Sequence, residues 1–182
     1  MTRTLIIGGA RSGKSAHAEV LATASGKPVV YIATAQAGDV EMQQRIAHHR
    51  ERRDGLWQTV EETLALGAVI EKYSRADNLL LADCLTVWLS NLLFSEHKEF
   101  PEVGAIDAPA AFTAQRAAFL QALENAPGDV ILVTNEVGQG IVPQGAISRW
   151  FVDEAGRLNQ AAAAICDRAV LVVAGLPLSL KG

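Results

Sequence analysis

Cysteine is scarce in this 182-residue chain, with only Cys84 and Cys166. They lie far apart and belong to no C-x-x-C or His/Cys cluster, which excludes a disulfide framework and a zinc site and leaves two buried free thiols as the expectation. Long hydrophobic runs are missing as well. No apolar stretch approaches the ~20 residues of a membrane span, and the first residues enter a strand without a signal-peptide pattern, so a cytoplasmic location is expected. An excess of positive charge is also lacking. The formal net charge of −4 argues against a nucleic-acid partner, because such binding is driven by Lys and Arg displacing counterions. There is no internal repeat and no low-complexity segment. What remains, 49% hydrophobic and 20% charged residues, is the composition of a globular protein. A chain of this length supports one substantial core, so residues 1–182 are expected to form a single domain.

Short apolar, β-rich runs alternate with longer helix-compatible stretches, the order of a parallel sheet covered by helices. Strands are expected at 4–7, 29–33, 79–82, 130–134 and 169–174, with a weaker one at 57–60. Helices are expected at 14–24, 40–53, 64–73, 86–95, 110–124 and 147–165. Pro28 and Gly128 punctuate two strand entries. Residues 97–109 mix charge, Gly and Pro without periodicity and read as a surface loop.

The first strand runs directly into Gly8-Gly9-Ala10-Arg11-Ser12-Gly13-Lys14-Ser15, a complete G-x-x-x-x-G-K-S loop followed by a helical continuation. Gly8 and Gly13 allow a tight turn, so that successive backbone N–H groups and the start of the next helix converge on one anion. Lys14 is placed to reach the terminal phosphates of a nucleotide, and the Ser15 hydroxyl to ligate Mg²⁺.

In an open parallel sheet, ligands gather beyond the carboxyl ends of the strands, where this chain places Thr34, Asp83, Asn135 and Glu136. Asp83 ends an apolar strand, as does an acid that binds Mg²⁺ opposite Ser15, and equally it suits the cap of the next helix. Glu136 either orients or deprotonates an attacking hydroxyl or pairs with an arginine such as Arg149.

Helical spacing divides the residues of 40–53 between faces. Met42, Ile46 and His49 form an apolar stripe, whereas Arg45, His48 and Arg52 share another face. Surrounding guanidinium groups disfavour the imidazolium form, so His48 is expected to be neutral near pH 7 and able to attack an electrophile while the arginines hold phosphate oxygens. A solvated basic helix with incidental histidines has the same spacing.

These motifs together resemble the bifunctional adenosylcobinamide kinase/adenosylcobinamide-phosphate guanylyltransferase family of cobalamin biosynthesis. Besides the loop at 8–15, the matching pieces are Tyr31-Ile32-Ala33-Thr34, the run from Glu41 through His48-His49-Arg50, and the run from Asp83 to Leu92. Two further pieces are Thr134-Asn135-Glu136-Val137-Gly138-Gln139-Gly140-Ile141-Val142-Pro143 and the run from Arg149 to Gln160. The resemblance implies a P-loop NTPase of RecA-like α/β fold, with a mostly parallel β-sheet flanked by helices. It implies phosphorylation of the aminopropanol hydroxyl of adenosylcobinamide by ATP or GTP. GMP then passes from GTP to adenosylcobinamide phosphate through a GMP–histidine intermediate, here on His48. It further implies nucleotide contacts at Gly8, Gly9, Ala10, Arg11, Ser12, Gly13, Lys14, Ser15, Thr34, Ala35, Arg50, Glu51, Arg52, Arg53, Glu61 and Asp83, and a homotrimer. Glu61 is suited to accept hydrogen bonds from the guanine edge or to be a helix-entry charge before Leu64. Without the histidine step, the chain reduces to a monofunctional small-molecule kinase; without either reaction, it is a nucleotide-gated binding module.

Overall fold

The structure, a computed structural model, describes residues 1–35, 57–96 and 98–182. The expected helix at 40–53, with His48, His49 and the neighbouring arginines, lies outside the described residues. In chain order the elements are β1 (Arg3–Gly8), α1 (Lys14–Ala24), β2 (Val29–Ala33), β3 (Gln58–Glu61), α2 (Leu66–Tyr73), β4 (Leu79–Asp83) and α3 (Leu85–Leu93). They continue with α4 (Ala110–Asn125), β5 (Asp129–Asn135), α5 (Ala146–Ile165), β6 (Arg168–Val173) and β7 (Leu176–Lys181). Residues 98–109 have no regular secondary structure, as expected for a loop.

The strands form one sheet in the order β3-β2-β4-β5-β1-β6-β7. All neighbours are parallel except β6 and β7. The central strands are continuous aliphatic runs because both faces are covered. Leu5, Val30, Ile32, Leu80, Leu132 and their neighbours pack against α2 to α5. Ile6, Tyr31, Leu81, Ile131 and Val133 face the opposite way, against Ala18 and Ala22 of α1. Trp88 is fully buried in the larger layer against Phe119, ring centroids 5.1 Å apart. Its indole N–H donates to the Leu64 carbonyl at 2.8 Å, which removes the cost of burying that polar group.

Two long basic side chains close helix ends. Arg3, at the start of β1, donates to the carbonyls of Leu123, Glu124 and Ala126 in the last turn of α4. Lys181, near the end of β7, donates to those of Ala163, Ala164 and Cys166 at the end of α5. In both places a cation meets carbonyls that have no partner within the helix.

The strand positions agree with the sequence reading to within a residue at each end, but β7 is an addition. It follows β6 through a two-residue turn at Ala174 and Gly175, with Val173 paired to Leu176. Both turn residues have positive φ, 53° and 79°, the geometry that suits a tight hairpin. Pro177 is tolerated because β7 is an edge strand. The helix expected at 64–73 starts at Leu66, since the Glu62 carboxylate takes up the N–H groups of Leu64 and Ala65, both at 2.8 Å.

Gly67 marks the closest approach of α2 to α4: a Cβ there would lie 2.8 Å from the Ala118 carbonyl carbon and oxygen and 2.9 Å from the Phe119 nitrogen. Gly67→Ala gains up to ~1 kcal/mol of helix propensity but forces backbone against backbone, costing ~1–3 kcal/mol. The urea-denaturation midpoint is expected to fall, and an unchanged or raised midpoint contradicts this packing.

Candidate active site

Residues 8–15 wrap from the end of β1 to the start of α1. Gly8 is required by crowding: its Cβ would meet the Ser12 Oγ at 2.5 Å and the Val172 carbonyl oxygen at 2.6 Å. Gly13 is required by conformation, with φ of 95°, and is the N-cap of α1. The turn closes through Ser12 N–H to the Gly9 carbonyl, 3.3 Å. Behind it, the Gly175 N–H of the β6–β7 turn donates to the Ser12 carbonyl at 2.8 Å, so the edge hairpin braces the loop. Gly9, Ala10 and Arg11 are exposed at the crest, whereas Lys14 is buried and its Nζ donates to the Gly9 carbonyl at 3.1 Å. The ammonium therefore sits inside the turn, at the start of α1, where a helix N-terminus favours an anion.

Parallel strands bring the other expected residues to the same sheet edge. Register pairs Gly8 with Asn135, Ala33 with both Glu61 and Asp83, and Asp83 with Val133. At roughly 4.8 Å per strand, Asp83 on β4 stands about 10 Å from the β1 backbone and Glu61 on β3 about 19 Å. The line from loop to Glu61 thus has the length of an extended nucleotide.

Thr34 is fully buried and its hydroxyl is engaged on both sides, accepting from the Cys84 N–H and donating to the Cys84 carbonyl, each at 2.8 Å. Its own carbonyl accepts from Asn91, 2.7 Å. The side chain therefore ties the end of β2 to the end of β4. Ala35, just beyond it, is half-buried. Asp83 is half-buried and belongs to β4; the N-cap of α3 is Cys84, which removes the capping role as its explanation. Glu61 is exposed at the end of β3, and Glu62 rather than Glu61 supplies the charge at the entry to α2.

Beyond Asp83, β5 runs on past β4, and a buried polar chain takes over from the ladder. Asn135 N–H donates to Thr86 Oγ1 at 2.7 Å, Thr86 Oγ1 lies 3.3 Å from Thr134 Oγ1, and Thr134 donates to Asn159 Oδ1 at 2.8 Å. Because the one Thr134 proton goes to Asn159, Thr86 is the donor to Thr134. Asn159 Nδ2 returns to the Asn135 carbonyl at 3.3 Å, which closes the circuit. Asn135 Oδ1 and Ser12 Oγ are buried without a hydrogen-bond partner among the described residues. Both groups stand beside the phosphate loop, where a buried polar atom costs ~1–3 kcal/mol if left unsatisfied.

Glu136 follows, half-exposed, with its N–H on the Gly8 carbonyl at 3.1 Å and its Oε1 accepting from Gly138 N–H at 2.6 Å. The pairing with Arg149 allowed by the sequence is not made: that guanidinium donates to the carbonyls of Pro143 and Gln144. Of the expected site residues, the nucleotide contacts Arg50, Glu51, Arg52 and Arg53 and the expected catalytic His48 lie outside the described residues. The sequence reading did not assign a role to Thr86, Asn159 or Gly175. The signal available for Gly175 was a glycine between two apolar alternations; that for Thr86 and Asn159 was polar side chains on otherwise apolar helix faces.

Oxygen donors at Ser15 and Asp83 are of the kind Mg²⁺ prefers. Among the described residues, no group of three or more His, Cys, Asp or Glu side chains is placed to hold a metal.

Both cysteines are free, Cys166 buried and Cys84 half-buried. Burial pushes the Cys84 thiol up to about 11, the Asp83 carboxylate adds to the rise, and the Lys14 ammonium opposes it. The thiol thus senses both the end of β4 and the loop lysine. Burial pushes Cys166 up to about 12. Since the ordinary value is 9.0, native thiols keep protons that unfolded thiols lose. Their contribution to stability is complete below about pH 9 and is lost as pH rises toward 11 and 12. The urea midpoint is expected to fall between about pH 8 and pH 10.5, less steeply in Cys84→Ala; an equal slope in that variant counts against the assignment.

Comparison with known proteins agrees with this geometry. The family described as "Cobinamide kinase / cobinamide phosphate guanyltransferase" matches residues 4–180. The bifunctional adenosylcobalamin biosynthesis protein CobP of Pseudomonas aeruginosa is 53% identical over 180 residues, covering 99% of this chain and 98% of that protein. CobU of Escherichia coli K12, also named a bifunctional adenosylcobalamin biosynthesis protein, is 42% identical over 179 residues, 97% of this chain and 98% of the relative. Among solved structures, an ATPase of a bacterial type III secretion system superposes with a TM-score of 0.56 at 12% identity, over 98% of this chain and 56% of that one. The RadB recombinase gives 0.50 at 16% identity, over 93% of this chain and 73% of that one. This chain thus spans little more than half of the secretion ATPase, and both likenesses establish the P-loop NTPase fold alone. The family match and the relatives extend over essentially the whole sequence, and the chain belongs to the cobinamide kinase/cobinamide phosphate guanyltransferase family.

Proposed function

We propose that this protein phosphorylates adenosylcobinamide with ATP or GTP and then transfers GMP from GTP to the product, giving adenosylcobinamide-GDP and pyrophosphate. The supporting observation is the braced loop at 8–15, with Lys14 buried inside its turn, in a chain that matches the kinase/guanyltransferase family along its length. Backbone N–H groups of Gly9 to Gly13 and the start of α1 hold the polyphosphate, and Lys14 leaves the Gly9 carbonyl for the transferred group. Ser15 and Asp83 would hold Mg²⁺, which when bound neutralises phosphate charge. Thr34 keeps the ends of β2 and β4 together, so that Asp83 and Ala35 face the nucleotide. Glu61, at the far end of the same edge, reads the guanine by accepting from its N–H groups.

The second reaction is assigned to His48, with Arg50, Glu51, Arg52 and Arg53 near the nucleotide. A neutral imidazole attacks the α-phosphorus of GTP and pyrophosphate leaves; the phosphate of adenosylcobinamide phosphate then displaces the histidine. Two moderate displacements replace one difficult step. Our reading makes it a cytoplasmic homotrimer, an arrangement that lets neighbouring subunits enclose the bulk of a corrinoid. No helix among the described residues is long and apolar enough to cross a membrane.

With α-labelled GTP, the wild type is expected to retain an acid-labile, alkali-stable label that His48→Ala lacks, while phosphorylation of adenosylcobinamide persists in the variant. Normal labelling of His48→Ala removes the histidine from the mechanism. Lys14→Ala should lower phosphorylation by about 100- to 1,000-fold, since it removes the charge on the transferred group; mass spectrometry of the corrinoid products measures both steps.

A further inference from the structure

Glu136 stands out as a carboxylate beside a cradle for polyphosphate that makes no ion pair among the described residues. Its N–H is bound to the carbonyl of Gly8, the first residue of the loop, and the preceding residue is the register partner of Gly8. Among the described residues, Arg149 and Arg157, which follow it in sequence, are committed elsewhere. Arg149 bonds the carbonyls of Pro143 and Gln144, and Arg157 pairs with Glu154. Arg116 of α4 is likewise spent on Glu154. A carboxylate at this position can take a proton from the second substrate.

The geometry around it is that of a held base. Gly138 N–H fixes one carboxylate oxygen at 2.6 Å, which leaves the other oxygen for an incoming donor. A Cβ at Gly138 would lie 3.0 Å from the fixed oxygen and crowd it. The main chain just before Glu136 is pinned by Thr86 through the Asn135 N–H and by Asn159 through the Asn135 carbonyl. Thr134 connects those two side chains. Because the residue is half-exposed, a proton it takes can pass to solvent. The segment it opens carries the exposed Ile141 and Val142 and reaches Pro143. Pro143 borders an apolar groove of about 270 Å³ that also touches Phe94 and Phe151. The acceptor side of the site thus adjoins apolar surface, as a bulky alcohol requires.

We infer that Glu136 is the general base of the phosphoryl-transfer step, with Thr86, Thr134 and Asn159 as its positioning residues; this rests on the kinase reading above. The hydroxyl proton of the acceptor moves to the free Glu136 oxygen as the hydroxyl oxygen bonds to the terminal phosphorus. The bond from that phosphorus to the bridging oxygen breaks, and the nucleoside diphosphate leaves with the electron pair. Guanylyl transfer starts from a phosphate that is already ionised and needs no such base, so the two activities separate.

The test compares wild type, Glu136→Gln and Glu136→Asp in two assays: phosphorylation of adenosylcobinamide, and guanylylation of adenosylcobinamide phosphate supplied ready-made. Glu136→Gln should lower kcat for phosphorylation by about 100-fold or more, with GTP binding and guanylylation kept near wild type. The acid-side fall of its phosphorylation rate should vanish, and Glu136→Asp should restore part of the activity. Phosphorylation within about threefold of wild type overturns the inference. So does recovery of Glu136→Gln by raised Mg²⁺, which makes Glu136 a metal ligand, or loss of GTP binding and both activities together, which makes it structural. A wild type that binds GTP but never phosphorylates adenosylcobinamide refutes the kinase reading itself and takes this inference with it.

Discussion

The site depends on one crowded passage, where the chain leaves β1 at Gly8 between the Ser12 side chain and the carbonyl of Val172 on β6. Neither neighbour leaves space for a Cβ. That crowding follows from the sheet order, in which β1 is inserted between β5 and β6 with both pairings parallel. Once the chain is through, it has five residues to reverse direction and enter α1. It does so with Arg11 and Gly13 in left-handed conformations, a strain of the sort tolerated where surrounding bonds over-determine it. Those bonds come from both sides: the Gly9–Ser12 turn in front and the Gly175 amide behind.

The rest of the sheet edge is arranged around that passage. Inserting β5 between β1 and β4 moves Asp83 two strands from the loop. It also brings the end of β5 beside Gly8, and there three buried polar residues, Thr86, Thr134 and Asn159, hold one strand end still. Lys14 and Asp83 both act on the Cys84 thiol. Opposite charges from the start of α1 and the end of β4 therefore converge at the mouth of the sheet in a chain whose overall charge is negative.

Most of this was legible because aliphatic strand runs, the phosphate loop and the helical periodicities are local patterns. β2 and α1 have the expected limits, and the other strands differ by a residue at either end. Glu62 and Glu61 are neighbours of one type, and only the path of the chain decides which one turns back to cap α2. Asp83 and Glu136 carried two readings each for the same reason, since a cap or an arginine pair depends on where the next element begins. The capping role passed to Cys84, and Arg149 turned to backbone carbonyls. β7 was missed because Pro177 argues against a strand unless the strand lies at an edge, and an edge position is a property of the whole sheet. The polar circuit behind Asn135 joins residues up to 73 positions apart and has no local signature.

The hairpin at Ala174 and Gly175 ties chemistry to a part of the molecule that looks remote from it. One hydrogen bond joins this turn to Ser12, and the strand that follows presents Leu176, Leu178 and Leu180 to the outside. Anything that shifts that aliphatic border, whether a substitution or a neighbouring surface, pulls on the rear of the phosphate cradle. Sequence drift in the last few residues therefore has a mechanical route to turnover that a view limited to ligand-touching side chains would overlook.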